Sequence, residues 1–177
     1  MKVQTAFAIL AFLVSGTSAA TIADILSDTS TINSQITTLD EAITAYPATG
    51  GTLANALAIH TDASNLINTV KKGTTDAVTP KPFSEADGNS IVKAVKAFEP
   101  KVLDALKQLV IKKPAFQALP IGGIPALVKQ DLISLNASTV AFEAALIASA
   151  PADLIPTANS IKSTIDAAFA TAIAAYS

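Results

Sequence analysis

The sequence predicts an all-α fold: an antiparallel up-and-down bundle of about five amphipathic helices, the third kinked near Pro100. Three observations predict it. Apolar residues recur at steps of three and four over long stretches, which is the period of one helix face. Proline and glycine interrupt that pattern at only a few places, and each interruption separates two periodic runs. The composition suits helices: 50% of the 177 residues are hydrophobic, only 5% are aromatic, 7 are Gly, and 35 are Ala, the strongest helix former. The length fits one domain.

The first twenty residues read as a secretory signal. Lys2 supplies the positive start, Ala6 to Val14 (AFAILAFLV) the apolar stretch, and Ser18, Ala19 and Ala20 the small residues for cleavage. The stretch is shorter than the ~20 residues that cross a bilayer. Residues 21–177 are the expected mature domain. No other stretch there is expected to cross a membrane, and the apolar tail belongs to the helical pattern, so a released protein is expected.

Helix one is expected from about Thr21 to Tyr46, with Ile22, Ile25, Thr29, Ile32, Ile36, Leu39, Ile43 and Tyr46 on one face; Pro47 and Gly50-Gly51 end it. Helix two starts at Thr52 as N-cap. Its stripe is Leu53, Leu57, His60, Ser64, Ile67 and Val70, flanked by Ala56, Ile59, Ala63 and Leu66. Lys71 and Lys72 fall in its expected last turn and Gly73 closes it. Thr79-Pro80-Lys81-Pro82 is a loop. Ser84 caps helix three, whose stripe Ile91, Val95, Phe98, Val102, Leu106 and Val110 continues in phase across Pro100, hence a kink and not a break. Lys112-Lys113-Pro114 ends it. Helix four starts near Pro125 after Gly122-Gly123 and presents Val128, Leu132, Leu135, Thr139, Phe142, Leu146 and Ser149. Pro151 stops it. Asp153 and Pro156 open helix five, with Leu154, Ala158, Ile161, Ile165, Phe169, Ile173 and Tyr176 in line.

Composition also narrows the chemistry. Absence of Cys removes disulfides and every cysteine-based metal or redox site. All 12 basic residues are Lys, and a net charge of −2 leaves no basic footprint for nucleic acid. His60 is the sole imidazole, no Gly-x-Ser-x-Gly elbow is present, and no catalytic residue is assigned. Asp24 and Asp28 lie one turn apart and Asp40-Glu41 follow, which reads as a solvated face and not a metal site. No cofactor is implied. Asn136-Ala137-Ser138 is a glycosylation sequon inside an expected helix. What remains is apolar ligand binding. Thr29, Ser64, Thr139 and Ser149 stand where a packed bundle favours Leu, and Ala is common beside them. Such small residues leave room with a few hydroxyls in it. They equally suit close packing, with each hydroxyl bonded back to its own helix.

Three segments resemble a known family. They are IVKAVKAFEPKVLDALKQLVIKKPAF over 91–116, PADLIPTANSIKSTIDAAFATAIAAY over 151–176 and TIADILSDTSTINSQITTLDEAITAY over 21–46. Together they are similar to the fungal hydrophobic surface-binding protein A family, which includes the cell-wall galactomannoproteins. The in-helix Glu99-Pro100 and the Ala-Ala-Tyr ending are the most recognisable pieces. The resemblance implies a secreted, extracellular, all-helical protein without enzymatic activity, in some members associated with the cell wall. Members adsorb to hydrophobic surfaces, recruit lipolytic enzymes, and bind fatty acids in a tunnel between helices. The chain departs from wall-anchored members in lacking a Ser/Thr-rich stalk with an anchor signal.

Two functions follow as expectations. In the first, a long-chain fatty acid or similar lipid lies between the helices. Its lining comes from Ile32, Ile36, Leu39, Leu57, Ile67, Phe98, Val102, Leu106, Leu135, Phe142, Leu146, Ile161, Ile165 and Phe169, with His60, Ser64 and Thr139 as candidate head-group positions. In the second, the bundle adsorbs to a hydrophobic solid surface and recruits a secreted lipolytic enzyme.

Overall fold

The computed structural model describes residues 20–78 and 82–177. The leader expected over 1–20, apart from Ala20, and residues 79–81 of the second loop lie outside the described residues. Five helices follow in order: α1 (Ile22–Ala45), α2 (Leu53–Ala77), α3 (Glu85–Gln117), α4 (Ile124–Ala148) and α5 (Ile155–Ala175).

The helix starts follow local chemistry. Thr21 and Asp24 form a reciprocal capping box on α1. The side chains of Thr52 and Ser84 accept from the backbone N–H groups of Asn55 and Asp87 at α2 and α3. Gly123, in the left-handed region at φ 98°, turns the chain into α4. Pro125 and Pro156 sit in first turns, where no N–H is missed.

Two expected ends are corrected. Gly73 does not close α2, which runs four residues further. Gly73 is buried, and a Cβ there would stand 3.1 Å from the Phe142 ring, so it permits close approach of α4. Lys72 therefore lies before the last turn, and its ammonium bridges Asp28 of α1 and Asp76, at 2.7 Å each. Likewise α3 continues past Pro114 to Gln117, as it does through Pro100. Beyond Pro114 the last turn is held by Phe116, which is 1% exposed and stacks on Tyr46 with ring centroids 4.4 Å apart.

Successive helices alternate in direction, but their spatial order differs from the chain order. α1 packs on α2 and α3, α2 on α4, and α4 and α3 both on α5. The ring therefore reads α1, α2, α4, α5, α3. Neighbours α1 and α3 run parallel: Ile25 clusters with Ile91 near their starts, Lys101 donates to Thr37 midway at 2.7 Å, and Tyr46 meets Phe116 at their ends. The ends are tied by polar contacts to backbone. Lys112 donates to the Tyr46 carbonyl at 2.6 Å, the buried Tyr176 hydroxyl to the Leu109 carbonyl at 2.7 Å, and the Phe83 N–H to the Ser149 carbonyl at 2.7 Å. Burial and the lack of a polar solvent shell push the Tyr176 phenol upward from its ordinary pKa.

Helix α4 also departs from expectation. It is long and apolar enough, by length and composition, to cross a membrane. In the bundle it packs between α2 and α5 instead.

Candidate functional site: apolar cavities between the helices

The five apolar faces converge on a cavity of about 80 Å³ at mid-height. All five helices line it. Two smaller cavities lie along the same seam. One, about 50 Å³, sits where α3 and α5 begin and α4 ends; it shares Val95, Glu143 and Leu146 with the central one. The other, about 30 Å³, lies toward the start of α4 and shares Leu39, Leu109, Leu132 and Leu135 with it. Single layers of side chains thus separate three voids in a row.

The structure brings Ile32, Ile36, Leu39, Phe98, Val102, Leu106, Leu135, Phe142, Leu146, Ile165 and Phe169 together around the central cavity, with Thr139. Ile161 lines the neighbouring cavity of α3 and α5. Ile67 is buried but stands outside the lining of all three. Leu57 is a correction: it is 41% exposed. On α2 the inward face is Ala56, Ile59, Ala63, Leu66 and Val70, so the stripe through Leu57 and Ser64 lies about one residue round the helix from the core. Ser64 is half-buried and lines none of the cavities.

His60 lies at the wall of the smallest cavity, away from the central one. Its Nδ1 faces both oxygens of Asp131, at 2.8 and 3.0 Å. Burial raises the Asp131 pKa while His60 opposes that rise. The imidazole is therefore already engaged by a carboxylate of this chain. Thr29 and Ser138 bond back to carbonyls of their own helix, at 2.7 and 2.9 Å.

The polar group that sequence reasoning missed is Glu143. It lines both larger cavities, with 11% of its side chain exposed. Its Oε2 lies 3.3 Å from the Lys162 ammonium, which holds Asp166 Oδ2 more closely at 2.6 Å. Glu143 Oε1 and Asp166 Oδ1 are buried without a hydrogen-bond partner. Burial, reinforced by the Asp166 charge, pushes the Glu143 carboxyl up to about 7, against the pull of Lys162. A signal existed in the sequence: Glu143 is one turn from Thr139 and directly follows Phe142, so it interrupts the apolar stripe of helix four. Among the described residues no group of three or more His, Asp or Glu side chains is arranged for a metal.

No curated protein sequence matches the chain. Several solved structures of similar fold are fatty-acid complexes. AfMp4p in complex with palmitic acid is 34% identical, with a TM-score of 0.81; the match covers 89% of this chain and 100% of that one. Ligand binding domain 1 of the Penicillium marneffei MP1 protein, complexed with arachidonic acids, is 20% identical, with a TM-score of 0.78 over 89% and 99% of the two chains. Domain 2 of the same protein, complexed with multiple arachidonic acids, is 17% identical, with a TM-score of 0.74 over 88% and 93%. At those identities the two MP1 domains speak for the fold alone. The family described as hydrophobic surface binding protein A matches residues 22–148. With that span and the 34% identity to AfMp4p over nearly the whole bundle, the chain belongs to the hydrophobic surface binding protein A family.

Proposed function

We propose that the chain is a secreted, non-enzymatic protein that holds a long-chain fatty acid between its helices, with residues 1–20 as its leader and 21–177 as the lipid-binding unit. The observation that carries this reading is the row of apolar voids at the centre of a bundle whose 34%-identical relative is described with palmitic acid. Each buried methylene contributes about 0.8 kcal/mol, so a dozen give roughly 10 kcal/mol before the chain's lost freedom is subtracted. Micromolar affinity needs about 8 kcal/mol. The central void is smaller than the ~150 Å³ engineered cavity that takes up benzene. Uptake of a long chain therefore joins the voids by moving the side chains between them, Val95 and Leu146 on one side and Leu39 and Leu135 on the other.

Native mass spectrometry of the secreted protein tests this, before and after organic extraction. A one-to-one adduct of fatty-acid mass that extraction removes is the expected result. A mass that stays unchanged after incubation with palmitate sinks the proposal.

A second reading, adsorption to hydrophobic surfaces with recruitment of a lipolytic enzyme, is favoured by the outer face of α4. Ala126, Gln130, Ile133, Ala137, Ala141, Ala144 and Ala148 form an exposed stripe without charge. The adjoining exposed residues of α5 are Ser, Thr, Ala, Asn and Pro. Charges on these two helices are confined to Lys129, Asp131, Glu143, Lys162 and Asp166, none of them fully exposed. The charged residues on α1, α2 and α3 leave the opposite side free for a polar partner. Co-sedimentation of a secreted lipase with protein-coated polyester beads, absent with bare beads, is the result expected of recruitment.

A further inference from the structure

Glu143 is the single ionisable residue lining the central cavity among the described residues. With Lys162 it makes up the ionisable lining of the adjoining one. Glu143 therefore stands in the wall between the two voids, and the Lys162 ammonium beside it lines the second; apart from the Thr139 hydroxyl the other lining side chains are apolar. An ammonium has three N–H donors. Lys162 directs one to Glu143 Oε2 and one to Asp166 Oδ2, which leaves one. Glu143 Oε1 is buried and accepts nothing. A buried oxygen without a partner is a costly feature that a native fold keeps only for a reason.

We propose that this wall is the docking point for the carboxylate of an acyl ligand, which accepts one hydrogen bond from the free N–H of Lys162 and one from the protonated carboxyl of Glu143. The proposal rests on the fatty-acid reading above and adds the position and the proton dependence of its polar anchor. The acyl chain then runs from the wall into the central cavity, with the Thr139 hydroxyl one turn along α4. The charge count requires the proton. With Asp166 ionised, a ligand carboxylate beside an ionised Glu143 would set three negative charges around one ammonium; protonation of Glu143 reduces them to two. The charged groups acting on Glu143 are Lys162 and Asp166, both on α5. The other helices face the cavity with apolar groups, Leu66 and Val70 of α2, Val95 of α3 and Ile32 of α1 among them.

Binding of a carboxylate should therefore be independent of pH while Glu143 holds its proton, up to about pH 7. Above that, each bound carboxylate takes up one proton, and affinity falls toward tenfold per pH unit. The test is equilibrium binding of radiolabelled palmitate and of hexadecanol, below their self-association concentrations, from pH 6 to pH 9. The free acid is ionised throughout this range, so its own titration does not enter. Palmitate should weaken steeply above pH 7 while hexadecanol stays level. Glu143→Gln keeps a donor and cannot ionise, and it should level the palmitate profile. Lys162→Met should weaken palmitate about tenfold or more at pH 6 and leave hexadecanol unaffected. Palmitate binding that is flat with pH, or a slope that persists in Glu143→Gln, overturns the docking point and leaves the lipid reading standing. Failure of both ligands to bind overturns the lipid reading, and the docking point with it.

Discussion

At the scale of single residues, position on the helix circumference decides the energetic role. Leu132 and Leu57 belong to equally periodic stripes. Leu132 is 1% exposed at the wall shared by two voids, whereas Leu57 is 41% exposed. Leu132→Ala should cost about 2–5 kcal/mol in urea unfolding, and Leu57→Ala no more than about 0.5 kcal/mol. Glu143 adds a pH dependence of stability. Its carboxyl holds a proton to about pH 7 when folded, against an ordinary value of 4.5. The folded state therefore binds more protons between those values, and this contribution is present at low pH and lost as pH rises through 7. Relative to Glu143→Gln, the unmodified protein should lose about 1–2 kcal/mol between pH 4.5 and pH 7.5, after allowance for the water that still reaches the group. Melting curves at both pH values check this, and an equal change in the two proteins would refute it. Neither role was legible from residue type. The stripe pattern admitted two adjacent faces on helix two, and nothing in a glutamate beside a stripe tells how deeply it is buried or which cation faces it.

At the scale of elements, the helix starts were readable and two of the ends were not. Caps act within one turn, so Thr21, Thr52 and Ser84 announce themselves. Gly73 and Pro114 carry local costs of about 1 and about 3 kcal/mol in a helix, which the packing of α2 on Phe142 at Gly73 and the stacking of Phe116 on Tyr46 outweigh. Gly88 shows the same logic in the first turn of α3. A Cβ there would lie 2.8 Å from Leu154 Cδ1 and 2.8 Å from Pro151 Cδ. Replacing an exposed helical Gly by Ala gains about 1 kcal/mol. Gly88→Ala should instead destabilise by about 1–3 kcal/mol, because a proline ring cannot swing aside. Equilibrium unfolding in urea reads the sign directly.

At the scale of the whole molecule, the order of helices around the ring makes both proposed activities compatible. Placing α4 beside α5 joins their uncharged outer faces into one surface and puts Glu143 opposite Lys162. Adsorption and lipid uptake then use opposite sides of α4 and should separate by mutation. Ala137→Lys with Ala144→Lys should reduce adsorption to octyl-coated beads severalfold, since each charge must be desolvated at the contact. The same variant should take up palmitate normally, because both positions face away from the cavities. Adsorption that is unchanged in this variant would place the contact elsewhere on the bundle.

The sequence by itself determined that this protein is a bundle of five helices, where most of them start, and which apolar residues turn inward on four of them. These follow from local rules: a 3.6-residue period, caps within one turn, and the missing N–H of proline. Which helices become neighbours was decided only in three dimensions. So was the row of voids that their facing side chains leave, and the pairing of Glu143 with Lys162 across α4 and α5. The physical reason is that an apolar stripe specifies that it must be covered, not by which helix. The space left over, and the shift in a carboxyl's pKa, depend on the distances between side chains brought together from separate helices.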